Sequence, residues 1–328
     1  MRALVLDEAL KVVEDYPTPS PAPGEALIRV RMAGICNTDM ELARGYMQFR
    51  GVPGHEFVGT VERAPGVEAW EGRRVVGDIN AACGVCATCR AGRHTHCPQR
   101  TTLGIHGRDG AFAEYLTLPI ANLYSVPEGL PDEVAVFAEP LAAACEILEQ
   151  VHVHPTDRVI VLGDGKLGLL CAQVLALTGC DLTVIGRHAN KLDILARMGI
   201  ATHHVERDAT AQSAGITSAA DIVVEATGHP DGYAMARALV RPRGTVVLKS
   251  TYHGVIEADL TMAVVDEITL VGSRCGPLAA ALRLLAHGVV NVTALIEARY
   301  PSKALLTAFA HAGRRGTLKV LVAFPSDE

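Results

Sequence analysis

The first 125 or so residues alternate short apolar runs with turn residues. Ala3 to Leu6, Ala26 to Met32, Phe57 to Glu62, Arg74 to Val76 and Phe112 to Leu118 each have the length and side chains of a β-strand. The stretch Pro17-Thr-Pro-Ser-Pro-Ala-Pro-Gly24 between the first two is a loop. This part of the chain is expected to be mostly irregular β structure with few helices. The pattern changes near Pro131. Asp132 to Val151 reads as one long apolar helix, after which strands and helices alternate. Arg158 to Leu162 is a strand, Lys166 to Thr178 a helix stopped by Gly179, and Leu182 to Ile185 a strand. Lys191 to Met198 is a helix stopped by Gly199, and Ile222 to Glu225, Thr245 to Lys249 and Ile268 to Gly272 are further strands. Alternation of this kind needs crossover helices between parallel strands, so it predicts an α/β architecture with a doubly wound parallel sheet. About 55 residues follow the last of these strands, too few for a third domain, and are expected to return to the β-rich part.

Length supports the same division: 328 residues exceed the roughly 250 to 300 at which a single core stops growing. With 49% of residues apolar and 20% charged, the chain has the balance of a packed globular protein rather than a disordered one. A net charge of -6 without a long run of Lys or Arg gives no footprint for a nucleic-acid backbone, so a small molecule is the expected partner. Met1 to Asp7 has only a short apolar stretch between charges, and no uninterrupted apolar run reaches the ~20 residues needed to cross a bilayer. No membrane partner is expected, and the cytoplasm is the expected location.

Gly163-Asp-Gly165-Lys166-Leu167-Gly168 follows the strand ending at Leu162 and opens the helix that carries Leu169, Leu170, Val174 and Leu177. In a strand-turn-helix context the first glycine makes the tight turn, the second lets the backbone approach a pyrophosphate, and the third lets helix and strand pack closely. The helix N-terminus adds N–H donors for the phosphates. These residues are the expected dinucleotide site, in a Rossmann-type fold. An acid at the end of the second strand would accept the ribose 2'-hydroxyl of NAD. The segment Ile185-Gly186-Arg187-His188 has none there. Gly186 makes room and Arg187 offers a fork of donors suited to a phosphate, so NADP is the expected preference, with NAD as the alternative.

Nine cysteines, four of them between Cys83 and Cys97, point to metal rather than disulfides in a cytoplasmic chain. Cys83-x2-Cys86-x2-Cys89-x7-Cys97 offers four thiolates that can close a tetrahedron around zinc, leaving no position for water, which makes the site structural. An iron–sulfur cluster is the alternative. Three further segments are scattered: Gly34-Ile-Cys36-Asn-Thr38-Asp39, Gly54-His55-Glu56 and Ala138-Glu139-Pro-Leu141.

Together these segments, the four-cysteine stretch and the central glycine loop resemble the zinc-containing medium-chain dehydrogenase/reductase superfamily of alcohol, polyol and threonine dehydrogenases, in its Glu-Pro-Leu branch. The resemblance spans essentially the whole chain. It implies a mostly-β GroES-like catalytic domain over residues 1–140 with a structural zinc lobe at 83–97, a Rossmann domain over 141–275, and a C-terminal return over 276–328. It also implies that Cys36, His55 and Glu139 hold a catalytic zinc, Glu139 directly or through water, with Glu56 able to enter the shell and Asp39 orienting His55. A zinc histidine is commonly fixed by a carboxylate at its other ring nitrogen. Zinc with three protein ligands keeps an open position, where it polarises a carbonyl or acidifies an alcohol before hydride passes to the nicotinamide. Thr38 occupies the proton-relay position. Glu41 stands where many relatives carry a histidine, leaving the exit of the relay open. Tyr46-Met-Gln-Phe49 either lines the substrate pocket or packs in the core.

The function so implied is a zinc-dependent oxidoreductase moving hydride between NADP(H) or NAD(H) and an alcohol, polyol or sugar hydroxyl, or the matching aldehyde or ketone. Two zincs per chain and a homodimer or homotetramer, paired partly through Ile268 to Gly272, go with it. Enoyl reduction is disfavoured, because relatives of that kind usually lack both metal sites. From another class, the four-cysteine lobe could be a zinc ribbon in a dinucleotide-binding redox sensor without turnover. Cys36, His55, Glu139 and the acidic balance argue against it.

Overall fold

The strand expected at Ala26 to Met32 extends over Glu25–Ile35, long enough to take three partners. Its first half pairs antiparallel with Tyr115–Pro119, its last residues pair antiparallel with Lys319–Ala323, and Glu56–Arg63 runs antiparallel along its other edge. The sheet continues through Arg74–Gly77 to Leu123–Ser125 on one side, and through Lys319–Ala323 to Ile296–Pro301 on the other. Residues Lys319–Ala323 are thereby built into the β-rich part. Antiparallel pairing sets Gly34, near the end of its strand, opposite Glu56 at the start of one neighbour and Leu321 near the start of the other. Three segments far apart in sequence thus meet at one end of the sheet.

The computed structural model describes residues 1–206, 219–251, 255–256 and 258–324; those parts of the expected 141–275 and 276–328 segments outside these ranges are not described. The chain divides into two compact units, one made of Met1–Glu139 with the chain from Leu278 onward, the other of Pro140–Pro277. In the second unit six strands lie in the order Ala201–His204, Asp181–Gly186, Arg158–Leu162, Ala220–Glu225, Val240–Leu248, Thr269–Gly272, all parallel. Numbered along the chain this is 3-2-1-4-5-6, the doubly wound order with its reversal between Arg158–Leu162 and Ala220–Glu225. The fold is α/β, with one unit of Rossmann type and one mostly-β unit.

One expected element is broken. Asp132 to Val151 is not one helix but two, Asp132–Ala135 and Ala138–Gln150. Pro140 has no N–H to donate to the carbonyl four residues back, so it is tolerated only in a first turn. Restarting the helix at Ala138 puts Pro140 there and leaves Glu139 beside it in that turn.

Candidate metal and dinucleotide sites

Cys36 follows the strand Glu25–Ile35 directly and caps the helix Asn37–Ala43, donating its own N–H to Asp39 Oδ2 at 2.8 Å. His55 precedes Glu56, the first residue of the neighbouring strand. The ligand atoms of Cys36, His55 and Glu56 lie within 4.8 Å of one another. His55 Nδ1 faces Asp39 Oδ1 at 3.3 Å, which leaves the other ring nitrogen for the cluster. Burial pulls the His55 pKa down, but Asp39 and Cys36 outweigh it and hold the imidazole well above its ordinary range. Thr38 Oγ1 is 3.8 Å from the Cys36 sulfur.

Sequence reasoning missed Lys319. It is only 1% exposed, its ammonium pairs with Glu56 Oε2, and it stands 5.7 Å from the centre of the Phe137 ring. Burial lowers its pKa, while Glu56, Cys36 and Glu139 more than offset this, so it remains charged. Gly34 makes the pair possible, because a Cβ there would sit 2.3 Å from Glu56 Oε2. Only the strand pairing that puts Val320 opposite Ile35 gives Lys319 away.

Glu139 is outside the compact trio but close enough to feel it. Burial and the Glu56 carboxylate push its pKa up, against His55 and Lys319, to about 7. The group therefore gathers the acidic side chains Cys36, Asp39, Glu56 and Glu139 around one ammonium and one imidazole. Asp39 Oδ1, His55 Nδ1 and Glu56 Oε1 are buried without a hydrogen bond. Mixed sulfur, nitrogen and oxygen donors around an excess of negative charge suit a zinc ion.

Glu41, at the position of the doubtful relay exit, is paired with Arg44 at 2.5 Å. Phe49 and Tyr46 pack with Leu6, Leu42, Leu10 and Ile105, so these aromatics belong to a small core cluster, while Met47 is exposed.

The four-cysteine lobe is compact. Neighbouring sulfurs are 3.5 to 3.9 Å apart and none is in a disulfide. A tetrahedron with metal–sulfur bonds of about 2.3 Å has edges of about 3.8 Å, so the four fit zinc. The Cys89 amide donates to Cys86 Sγ and draws the Cys86 thiol down to about 6. His94 and His96 are not in the group.

In the second unit, Gly163 has φ +113°, and a Cβ on it would lie 2.5 Å from Ala226 O. A Cβ on Gly168 would lie 2.1 Å from Gly163 O, whereas one on Gly165 meets nothing within 4 Å. Two of the glycines are thus needed for packing. The third leaves open backbone at the N-terminus of the helix Lys166–Ala176, beside Lys166 and Leu167, as a phosphate cradle requires.

The end of the second strand has a neighbour that its local sequence does not show. Asp164, from the middle of the glycine loop, places its carboxylate against Gly186, where Oδ2 accepts from the amides of Arg187 at 2.7 Å and His188 at 2.6 Å. Its carboxylate is also 3.0 Å from His188 Nδ1. Asp164 thus places a carboxylate beside the strand end, where Ile185 to His188 has no acid of its own. The signal was in the glycine motif, as the residue between its first two glycines.

Residues 22–128 match the alcohol dehydrogenase GroES-like domain and residues 167–287 the zinc-binding dehydrogenase domain. The chain belongs to the zinc-containing medium-chain dehydrogenase/reductase family. It is 30% identical over 288 residues to an L-threonine 3-dehydrogenase of Anaeromyxobacter dehalogenans (strain 2CP-C), covering 83% of each chain. It is 27% identical over 324 residues to the L-galactonate-5-dehydrogenase of Escherichia coli (strain K12), covering 94% of each. Among solved structures, the short chain alcohol dehydrogenase (rspB) from E. coli CFT073, complexed with NADH, superimposes with a TM-score of 0.88 at 27% identity, covering 99% of each chain. The protein is a zinc-dependent dehydrogenase that uses a nicotinamide dinucleotide, which sets aside the redox-sensor alternative. No helix among the described residues is long and apolar enough to cross a membrane.

Proposed function

We propose that this dehydrogenase acts on a secondary alcohol, polyol or sugar hydroxyl, or on the matching aldehyde or ketone. The observation that carries the reading is the trio of Cys36, His55 and Glu56 with ligand atoms within 4.8 Å, joined by Glu139, in a chain that also carries the glycine cradle. The unit of Met1–Glu139 and the chain from Leu278 onward is assigned the chemistry, and Pro140–Pro277 the dinucleotide. Relatives named for a sugar acid and for threonine favour a substrate with adjacent polar groups.

Cys36, His55 and Glu139 would hold a catalytic zinc, with Glu56 able to exchange into its shell, and Cys83, Cys86, Cys89 and Cys97 would hold a second, structural zinc. Zinc in such a site supplies Lewis acidity toward the substrate oxygen. Asp39 fixes the His55 ring, and Lys319 holds Glu56 while balancing its charge. Thr38, next to the Cys36 sulfur, relays the hydroxyl proton: on oxidation its oxygen accepts that proton while its own O–H proton passes on toward solvent, and on reduction the transfer runs in reverse. Gly163, Gly165, Lys166, Leu167 and Gly168 cradle the pyrophosphate. Gly186, Arg187 and His188 face the adenosine ribose, and the choice between NADP and NAD turns on Arg187 against Asp164.

The protein is further proposed to be a cytoplasmic homodimer or homotetramer. Thr269–Gly272 is the edge strand of its sheet, with Leu270 exposed, and the preceding helix exposes Leu260, Met262, Val264 and Val265. A strand edge unpaired among the described residues, next to apolar surface, is what a second copy would cover. A screen of alcohols, polyols, aldoses and ketones with both dinucleotides tests the function. Turnover of at least one class that is lost on chelation is expected; no turnover by zinc-loaded protein would sink the reading.

A further inference from the structure

We propose that Asp164 takes the part of the missing acid at the end of the second strand and makes the protein select NAD over NADP. The inference rests on the dehydrogenase reading and deepens it at the adenosine ribose. An ideal Cβ on Gly186 would lie 2.6 Å from Asp164 Oδ2, so this carboxylate fills the space that a side chain at the strand end would enter. Gly186 and Asp164 are in this sense one device: the strand gives up its side chain and the loop supplies the acid.

Three features set the direction of selection. First, Asp164 Oδ2 is saturated by the amides of Arg187 and His188, the donors at this turn that a 2'-phosphate would otherwise use. Second, among the described residues Oδ1 is met by the His188 ring at 3.0 Å, and a carboxylate oxygen accepts more than one hydrogen bond, so it can take a ribose hydroxyl. Third, the charge is fixed. Asp164 is 6% exposed and held by two backbone donors, whereas Arg187 is exposed and makes no ion pair among the described residues. A solvated guanidinium is screened by water and salt, while a buried carboxylate held in place is screened much less. The net effect on a 2'-phosphate is repulsion.

The test is direct binding to the zinc-loaded protein, read as dissociation constants for NADH and NADPH by titration calorimetry. Wild type is expected to bind NADH about tenfold or more tighter than NADPH, the effect of one fixed charge beside a phosphate. Asp164→Asn keeps an oxygen for the two amides and removes the charge, and is expected to shift the NADH-to-NADPH ratio toward NADPH by about tenfold. Arg187→Ala is expected to leave NADH preferred. Should Asp164→Asn not fold, wild type alone is compared with two fragments, 5'-AMP and adenosine 2',5'-bisphosphate, the former expected to bind tighter. Tighter binding of NADPH or of the bisphosphate by wild type, or an unchanged ratio in a folded Asp164→Asn, overturns the proposal. Binding of neither dinucleotide overturns the assignment of the glycine loop itself, and the proposal with it.

Discussion

Lys319 and Glu56 neutralise each other where water does not reach, so removing one strands the charge of the other. Breaking a buried pair from one side typically costs about 3 to 5 kcal/mol. Lys319→Met should therefore lower stability in urea unfolding by about 3 kcal/mol, and adding Glu56→Gln should restore most of it, because both charges are then gone. An additive double variant would show that the two side chains do not act as a pair. Thr38 is a different kind of residue, partly exposed and next to the sulfur of Cys36, a proposed zinc ligand. Thr38→Ala is expected to keep both zincs by metal analysis and to lose about 100-fold in kcat, the usual worth of a positioned proton carrier. Near-normal turnover would remove it from the relay.

The glycine loop makes its predictions as an element, since its three glycines are required for different reasons. Gly168→Ala would drive a Cβ into Gly163 O, forcing helix and strand apart, so both the unfolding midpoint and dinucleotide binding should fall. Gly165→Ala meets open space in the protein alone. It should leave the unfolding midpoint unchanged and weaken dinucleotide binding about tenfold, because the added methyl stands where the pyrophosphate approaches. Equal effects of the two variants on stability would contradict this division. The broken helix at Val136 and Phe137 carries a related lesson. Apolar periodicity runs through it unbroken, and it is Pro140 that dictates the restart and so puts Glu139 in a first turn.

For the whole molecule, metal analysis should find two zincs per chain, with a chelator abolishing turnover before the far-ultraviolet dichroism changes. Retained turnover after loss of the zinc at Cys36 and His55 would contradict the division of roles between the sites. Leu270→Arg on the edge strand should convert the assembly to a smaller species in sedimentation, with the fold retained. What the sequence determined by itself is what lies close along the chain. The cysteine lobe fits within fifteen residues and the cradle within one strand-turn-helix, so spacing alone specifies both. Family resemblance added Cys36, His55 and Glu139, and periodicity found most of the parallel strands. The tertiary structure alone decided the rest. Lys319 reaches Glu56 across 263 residues because two antiparallel pairings share the end of one strand, and nothing in the local sequence around Lys319 records that neighbour. Asp164 reaches the amides of Arg187 and His188 because the first two strands of the parallel sheet lie side by side. Its position in the glycine motif was plain in the sequence. The direction of its side chain is set by the packing of two strands and a turn, which only the folded chain possesses.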